Sequence, residues 1–128
     1  MQAYQIFTDN VLEISLLNLA TGAYRVIKRD ARLLGADLEK EEDFVNYCDR
    51  LVNEKIVHEE DADLFLEQTD LEALRSVLYH ATAPEFYRYR ENVSGQYIWV
   101  TTEVLPCRGC CAQNPWATVL VRNDAQAD

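Results

Sequence analysis

The chain has 128 residues, 48% of them hydrophobic, and 22 acidic against 12 basic side chains give it a formal charge of −10. That length suits one domain burying about two-thirds of its unfolded surface, and the apolar content excludes intrinsic disorder. The negative charge disfavours nucleic-acid binding and favours solubility, and with no apolar run near the roughly 20 residues of a membrane helix, no membrane insertion is expected.

Residues 1–10 mix Tyr4, Ile6 and Phe7 with polar neighbours and read as a short helix or a lead-in. They lack the basic region of a signal peptide, and Asp9 interrupts any apolar core. The four cysteines are too few and too uneven for a disulfide framework, so a cytoplasmic setting with reduced thiols is expected.

Residues 11–17 read as a strand with Leu12, Ile14 and Leu16 on one face and Glu13 and Ser15 on the other. Residues 18–22 supply a turn, and residues 23–28 a second strand with Tyr24 and Val26 opposite Arg25 and Ile27, completing a hairpin. Residues 29–42 are polar and read as a connection with room for one helical turn. From Asp43 the period becomes helical, with Phe44, Tyr47, Cys48, Leu51, Val52 and Ile56 on one stripe. Asp61 is set to cap a short helix carrying Leu64 and Phe65. Thr69 and Glu72 have capping-box spacing for a helix carrying Leu71, Leu74, Val77 and Leu78, which Ala83-Pro84 ends.

Three strands rich in Tyr, Val, Ile, Trp and Thr follow at residues 86–91, 97–106 and 116–122. Asn92-Val93-Ser94-Gly95 separates the first two, and a cysteine-rich stretch the last two. A single block of helices between two strands and three predicts an α+β domain. Its five-stranded antiparallel sheet is covered on one face by the helical segment. Residues 124–128 read as the start of a linker.

Several stretches, in this order, carry a family resemblance. Asn18-Leu19-Ala20-Thr21-Gly22-Ala23-Tyr24 is similar to an Asp-Leu-x-Thr-Gly-x-Tyr hairpin, and Val57-His58-Glu59-Glu60-Asp61 to an Ile-His-Pro-Glu-Asp segment. Tyr89-Arg90 followed by Gly95-Gln96-Tyr97-Ile98-Trp99 resembles a Tyr-Arg, Gly-x-Tyr-x-Trp pattern, and Asp124-Ala125-Gln126 stands where Asp-Ile-Thr is common. The chain thus resembles PAS-fold sensor domains of bacterial signalling proteins over about residues 11–126. It departs from their pattern at Asn18, Glu59 and Ala125-Gln126. The resemblance implies a regulatory module, a homodimer, covalently linked to an output domain of the diguanylate cyclase or histidine kinase type. It implies no enzyme and names no cofactor.

Two constellations are candidates for a site. Tyr47, Phe65, Tyr87, Tyr89, Tyr97 and Trp99 are the aromatic set; alternation pairs Tyr87 with Tyr89 and Tyr97 with Trp99. They form either ordinary core or, with Tyr47, Tyr87, Tyr89, Tyr97 and Trp99 as lining, a pocket whose hydroxyls orient a small-molecule ligand. Cys107, Cys110 and Cys111 are either incidental loop thiols or ligands of a zinc ion or redox sensor lacking a second Cys or His pair. His58 reads as a cap or turn residue rather than a haem ligand. No Ser-His-Asp arrangement, phosphate loop or metal-loop carboxylate spacing is legible.

Overall fold

The computed structural model describes residues 11–30 and 41–124. Strand β1 (Val11–Asn18) turns back into β2 (Ala23–Arg29). The turn is held by Asn18, whose side-chain oxygen accepts from the amides of Ala20 and Thr21. Gly22 closes it at φ +82°, where a side chain would strain the backbone and crowd Asp43 and Leu71.

A short strand β3 (Glu41–Asp43) pairs with β2 and runs directly into helix α1 (Phe44–Asn53). Asp43 caps that helix by accepting from the amide of Asn46. Among the described residues the sheet therefore has six strands, not five: Glu41 and Glu42 lie in the stretch expected to be connection and Asp43 at the expected start of the helical period, and no alternation announces so short a strand. The middle of that stretch, with its expected helical turn, lies outside the described residues, as do residues 1–10 and 125–128.

A single 3₁₀ turn (Glu59–Asp61) leads into α2 (Ala62–Gln68), and α3 (Leu71–Leu78) follows. His58 is a cap, as expected, whereas the expected caps at Asp61 and Thr69 are not found. His58 caps the 3₁₀ turn, its Nδ1 accepting from the amide of Glu60 at 3.1 Å. Asp61 makes no side-chain cap, because Arg90 engages its carboxylate. Asp70, not Thr69, caps α3; the Thr69 hydroxyl is buried and donates to the Phe65 carbonyl at 2.7 Å. Helix α3 also ends at Leu78, well before Pro84, as Tyr79 becomes extended and His80 takes φ +66°.

The three remaining strands are β4 (Glu85–Val93), β5 (Gln96–Pro106) and β6 (Trp116–Asn123). The sheet is antiparallel throughout, in the order β3-β2-β1-β6-β5-β4. β1 and β6, distant in sequence, lie at the centre. One face carries the core: Leu17, Tyr24, Val26, Tyr87, Tyr89, Val100, Val104, Val119 and Val121 are buried there together with Phe44, Leu51, Phe65, Leu74 and Leu78 from the helices. The other face leaves Leu16, Ile27, Phe86, Leu105 and Trp116 exposed. This is an α+β domain with helices over an open antiparallel sheet.

The inward face of β1 is the main departure. Glu13, Ser15 and Leu17 share a register face with the inward Val121, Val119 and Ala117 of β6, while Ile14 and Leu16 match Leu120 and Thr118 on the outside. An irregularity between Val11 and Glu13 lets Leu12 be buried as well. The polar pair that would ordinarily face solvent thus lies under the helices.

Candidate functional site

The inward polar residues gather at one place. The Tyr24 hydroxyl donates to Glu13 Oε2 at 2.6 Å, the Ser15 hydroxyl to the same oxygen at 3.0 Å, and the Tyr47 hydroxyl to Oε1 at 3.4 Å. Glu13 is only 3% exposed, and such a carboxylate is tolerable inside a protein because donors replace its water. Each strand or helix contributes one donor by its own period: Ser15 two residues along β1, Tyr24 on the inward face of β2, Tyr47 on the buried stripe of α1.

A second carboxyl faces the same space. Glu91 continues the inward row Tyr87–Tyr89 on β4 and is 6% exposed. Its backbone is fixed where residues 56–58 add to the edge of β4: the His58 amide donates to the Arg90 carbonyl at 2.9 Å and the Asn92 amide to the Ile56 carbonyl at 2.7 Å. Arg90, pointing outward, clamps that segment by donating from both its backbone amide and its guanidinium to the Asp61 carboxylate. The guanidinium holds the Asp61 carboxyl below its usual range. No buried side-chain nitrogen or oxygen among the described residues is left without a hydrogen-bond partner.

Electrostatics follow from burial. Desolvation, and then the neighbouring Glu13 charge, push the Glu91 carboxyl up to about 8, with Arg29 acting in the opposite sense. Burial, and then Glu13, likewise raise the phenols of Tyr24 and Tyr47. Burial followed by Glu91 raises Tyr89, whose hydroxyl is 2.7 Å from Thr102 Oγ1. All three phenols remain neutral near neutral pH.

Between these groups lies a cavity of about 30 Å³ bordered by Glu13, Tyr24, Tyr47, Tyr89, Glu91 and Thr102, with Phe44, Leu51, Phe65 and three valines as apolar wall. That is room for about one or two water-sized groups. No lining residue is basic.

No family model and no curated protein matches this chain.

The structure divides the expected aromatic set. Tyr47, Tyr87 and Tyr89 line the cavity together with Phe65. Tyr97 and Trp99 do not: they pair with Asn92 and Arg90 in the β4–β5 register and so share the outer face with them. There Trp99 lies under the guanidinium groups of Arg88 and Arg90, 4.3 and 5.0 Å from the ring centre. Tyr97 packs edge-on against His58 and donates to the Lys55 carbonyl at 2.5 Å. The expectation that both strands' aromatic pairs could serve one pocket fails on parity alone.

Cys107 and Cys110 are neighbours, the Cys110 amide donating to the Cys107 carbonyl at 3.1 Å, yet the cysteines do not gather into a metal site. Cys107 donates to the Asn114 carbonyl at 3.4 Å, Cys110 is fully buried, and Cys111 bridges back to Asn114 through its backbone. Among the described residues, no three His, Cys, Asp or Glu side chains converge to hold a metal ion. All four thiols are free.

Glu13, Ser15, Tyr24, Glu91 and Thr102 are site residues that sequence reasoning missed. Parity carried the signal: Glu91 continues the Tyr87–Tyr89 alternation, and Glu13 and Ser15 alternate with the buried Leu17.

Proposed function

We propose that this chain is a regulatory sensor module of the PAS-like kind rather than an enzyme. It takes a small molecule between sheet and helices and biases a covalently linked output domain. Support comes from the element order, five long strands interrupted once by helices that cover one face. The observation that carries the reading is the hydrogen-bonded Glu13 cluster buried beside a residual cavity with Glu91. A purely structural core of this size gains nothing from two inward carboxyls, since burying charge opposes folding. A ligand signals through such a site only if it binds two states of the module unequally.

A second reading is favoured by the outer sheet face. Phe86 is 59% exposed and Trp116 43%, on the same surface as Leu16, Leu105 and Trp99. A homodimer or docking module with a filled core would use that face, and the small cavity suits it. Thermal shift against a metabolite panel, with sedimentation on the same samples, separates the two. The sensor reading expects at least one compound that raises the melting temperature by mass action and perturbs Tyr47 and Tyr89 amide resonances. No hit, together with a dimer that Trp116→Asp dissociates, favours the second reading.

A further inference from the structure

Independently of the sensor reading, we infer that Cys107 and Cys110 form a reversible dithiol–disulfide site, oxidised by exchange with a low-molecular-weight disulfide. The connection from β5 to β6 opens with Cys107-Arg108-Gly109-Cys110, and the Cys110 amide donates to the Cys107 carbonyl at 3.1 Å. That bond closes a four-residue turn, whose end Cα atoms stand within about 7 Å of each other. A disulfide spans about 4.4–6.8 Å between the same two atoms, so the turn brings the pair near bridging distance before any bond forms. Gly109 takes φ +71° at the third position of the turn, where a type II reversal calls for glycine. The side chains also interact directly: Cys107 acts on the Cys110 thiol through both a hydrogen bond and its charge, and Cys111 through charge alone.

Exposure gives the two sulfurs different parts. Cys107 is half-buried and within reach of a reagent from solvent, whereas Cys110 is fully buried. Burial, and then the neighbouring Cys107, push the Cys110 thiol up, so it keeps its proton while Cys107 attacks. Once Cys107 carries a mixed disulfide its charge is gone, and that part of the restraint on Cys110 goes with it. Cys111 is the poorer partner. Its amide donates to the Asn114 carbonyl at 3.1 Å and its carbonyl accepts from the Asn114 amide at 2.9 Å, which fixes it in a bridge outside the turn.

The exchange balances without a further oxidant. The Cys107 thiolate, its proton given to solvent, attacks one sulfur of a disulfide RSSR, forming a mixed disulfide and expelling RS⁻, which takes up that proton. Cys110 Sγ then attacks Cys107 Sγ, and its own proton leaves with the second RS⁻ as RSH. Two cysteine thiols are oxidised and one external disulfide is reduced to two RSH. Oxidation removes the hydrogen that Cys107 donates to the Asn114 carbonyl at 3.4 Å, but that carbonyl keeps the Cys111 amide, so no acceptor is stranded. The Cys110 carbonyl accepts from the His80 amide at 2.7 Å, which puts the chain just beyond α3 in backbone contact with the site.

The test equilibrates the whole chain with mixtures of reduced and oxidised glutathione near neutral pH, blocks the remaining thiols with N-ethylmaleimide, and digests with trypsin. Cleavage after Arg108 separates Cys107 from Cys110, so fragments 91–108 and 109–122 stay joined only through a disulfide. About half or more of the chain should be joined when oxidised glutathione is in about tenfold excess, and dithiothreitol should separate the fragments. Cys111→Ser should leave the linkage intact, Cys107→Ser should abolish it, and Cys110→Ser should stop at a glutathione adduct on Cys107. Should Cys110→Ser fail to fold, fragment-ion sequencing of the joined peptides from the wild type assigns the partner of Cys107 as Cys110 or Cys111. With Ellman reagent, a slower third equivalent should follow the two fast ones, as Cys110 displaces the reagent from Cys107. Glutathione adducts without linkage, linkage carried by Cys111, or no oxidation at that excess overturns the inference.

Discussion

Tyr24 and Glu13 meet at 2.6 Å inside the sheet-helix interface, a phenol on β2 donating to a carboxylate on β1 that is shut off from water. The bond ties the first hairpin to the inward charge, and α1 adds Tyr47 from above. Its loss leaves a buried acceptor short of a donor. Tyr24→Phe should therefore destabilise the domain by about 1–3 kcal/mol, more than a surface hydroxyl loss. Urea unfolding with an unchanged m-value checks it; a change within error would mean that Glu13 recovers its donor elsewhere.

Glu91 sets a pH dependence of known sign. Its folded pKa of about 8 stands above the unfolded value, so the stabilisation is fully present below about pH 4.5 and is lost as pH rises through about 8. Glu91→Gln removes that slope. The stability difference, variant minus wild type, should grow in favour of the variant between those limits, on the order of a few kcal/mol. Paired denaturation curves from pH 5 to pH 9 measure it, and parallel curves contradict the burial of this carboxyl.

Asp61 has the opposite sign. Arg90 depresses its pKa, so the stability it supplies is present above the unfolded carboxylate range and fades as pH falls through the folded value. The pair is partly exposed, and Asp61→Asn should cost only about 1 kcal/mol globally. Locally it should loosen the edge: amide exchange at His58 and Asn92, whose bonds join residues 56–58 to β4, should quicken while β1 and β6 stay protected. Equal acceleration everywhere would remove Asp61 from this clamping role.

Inner and outer tyrosines should behave differently. Tyr89→Phe leaves Thr102 Oγ1 without its buried partner and alters the cavity wall, whereas Tyr97→Phe loses one half-exposed bond to the Lys55 carbonyl. Tyr97→Phe should cost about 1 kcal/mol and leave the titration of Glu91 unmoved. Tyr89→Phe should shift that titration. Side-chain carboxyl resonances in both variants distinguish them.

Thiol reactivity should split two and two. Cys48 is buried on α1 with its thiol pushed up to about 12 by desolvation, and Cys110 is buried with its thiol also raised. Cys107 and Cys111 are half-exposed. Ellman titration at pH 8 should give two fast thiols in the native chain and four in denaturant. Stoichiometric zinc in protein purified without chelator would instead revive a metal role for the Cys107–Cys111 stretch.

The architecture was legible where side-chain period was clean. Tyr24–Val26, Phe44–Leu51 and the Tyr87–Tyr89 row have the faces that alternation or helical spacing assigns. Caps and short elements were not, because several residues of the right chemistry compete. Asp70 outcompetes Thr69 since the latter's hydroxyl closes the preceding helix, and Arg90 takes Asp61 from its helix. The site was hidden for a deeper reason. Hydrophobicity assigns Leu12, Ile14 and Leu16 inward on β1, yet donors from three other side chains make the inward position of Glu13 tolerable. Those donors become visible only when β2 and α1 are folded over it.

The central claim is that Glu13 and Glu91 share one water-poor cavity between helices and sheet. Carbon-13 titration of the glutamate side-chain carboxyls tests it most directly. The account predicts that Glu91 titrates near pH 8, and that Glu13→Gln brings it down by removing the neighbouring charge. A Glu91 midpoint in the ordinary range near 4.3, indifferent to Glu13, would contradict it.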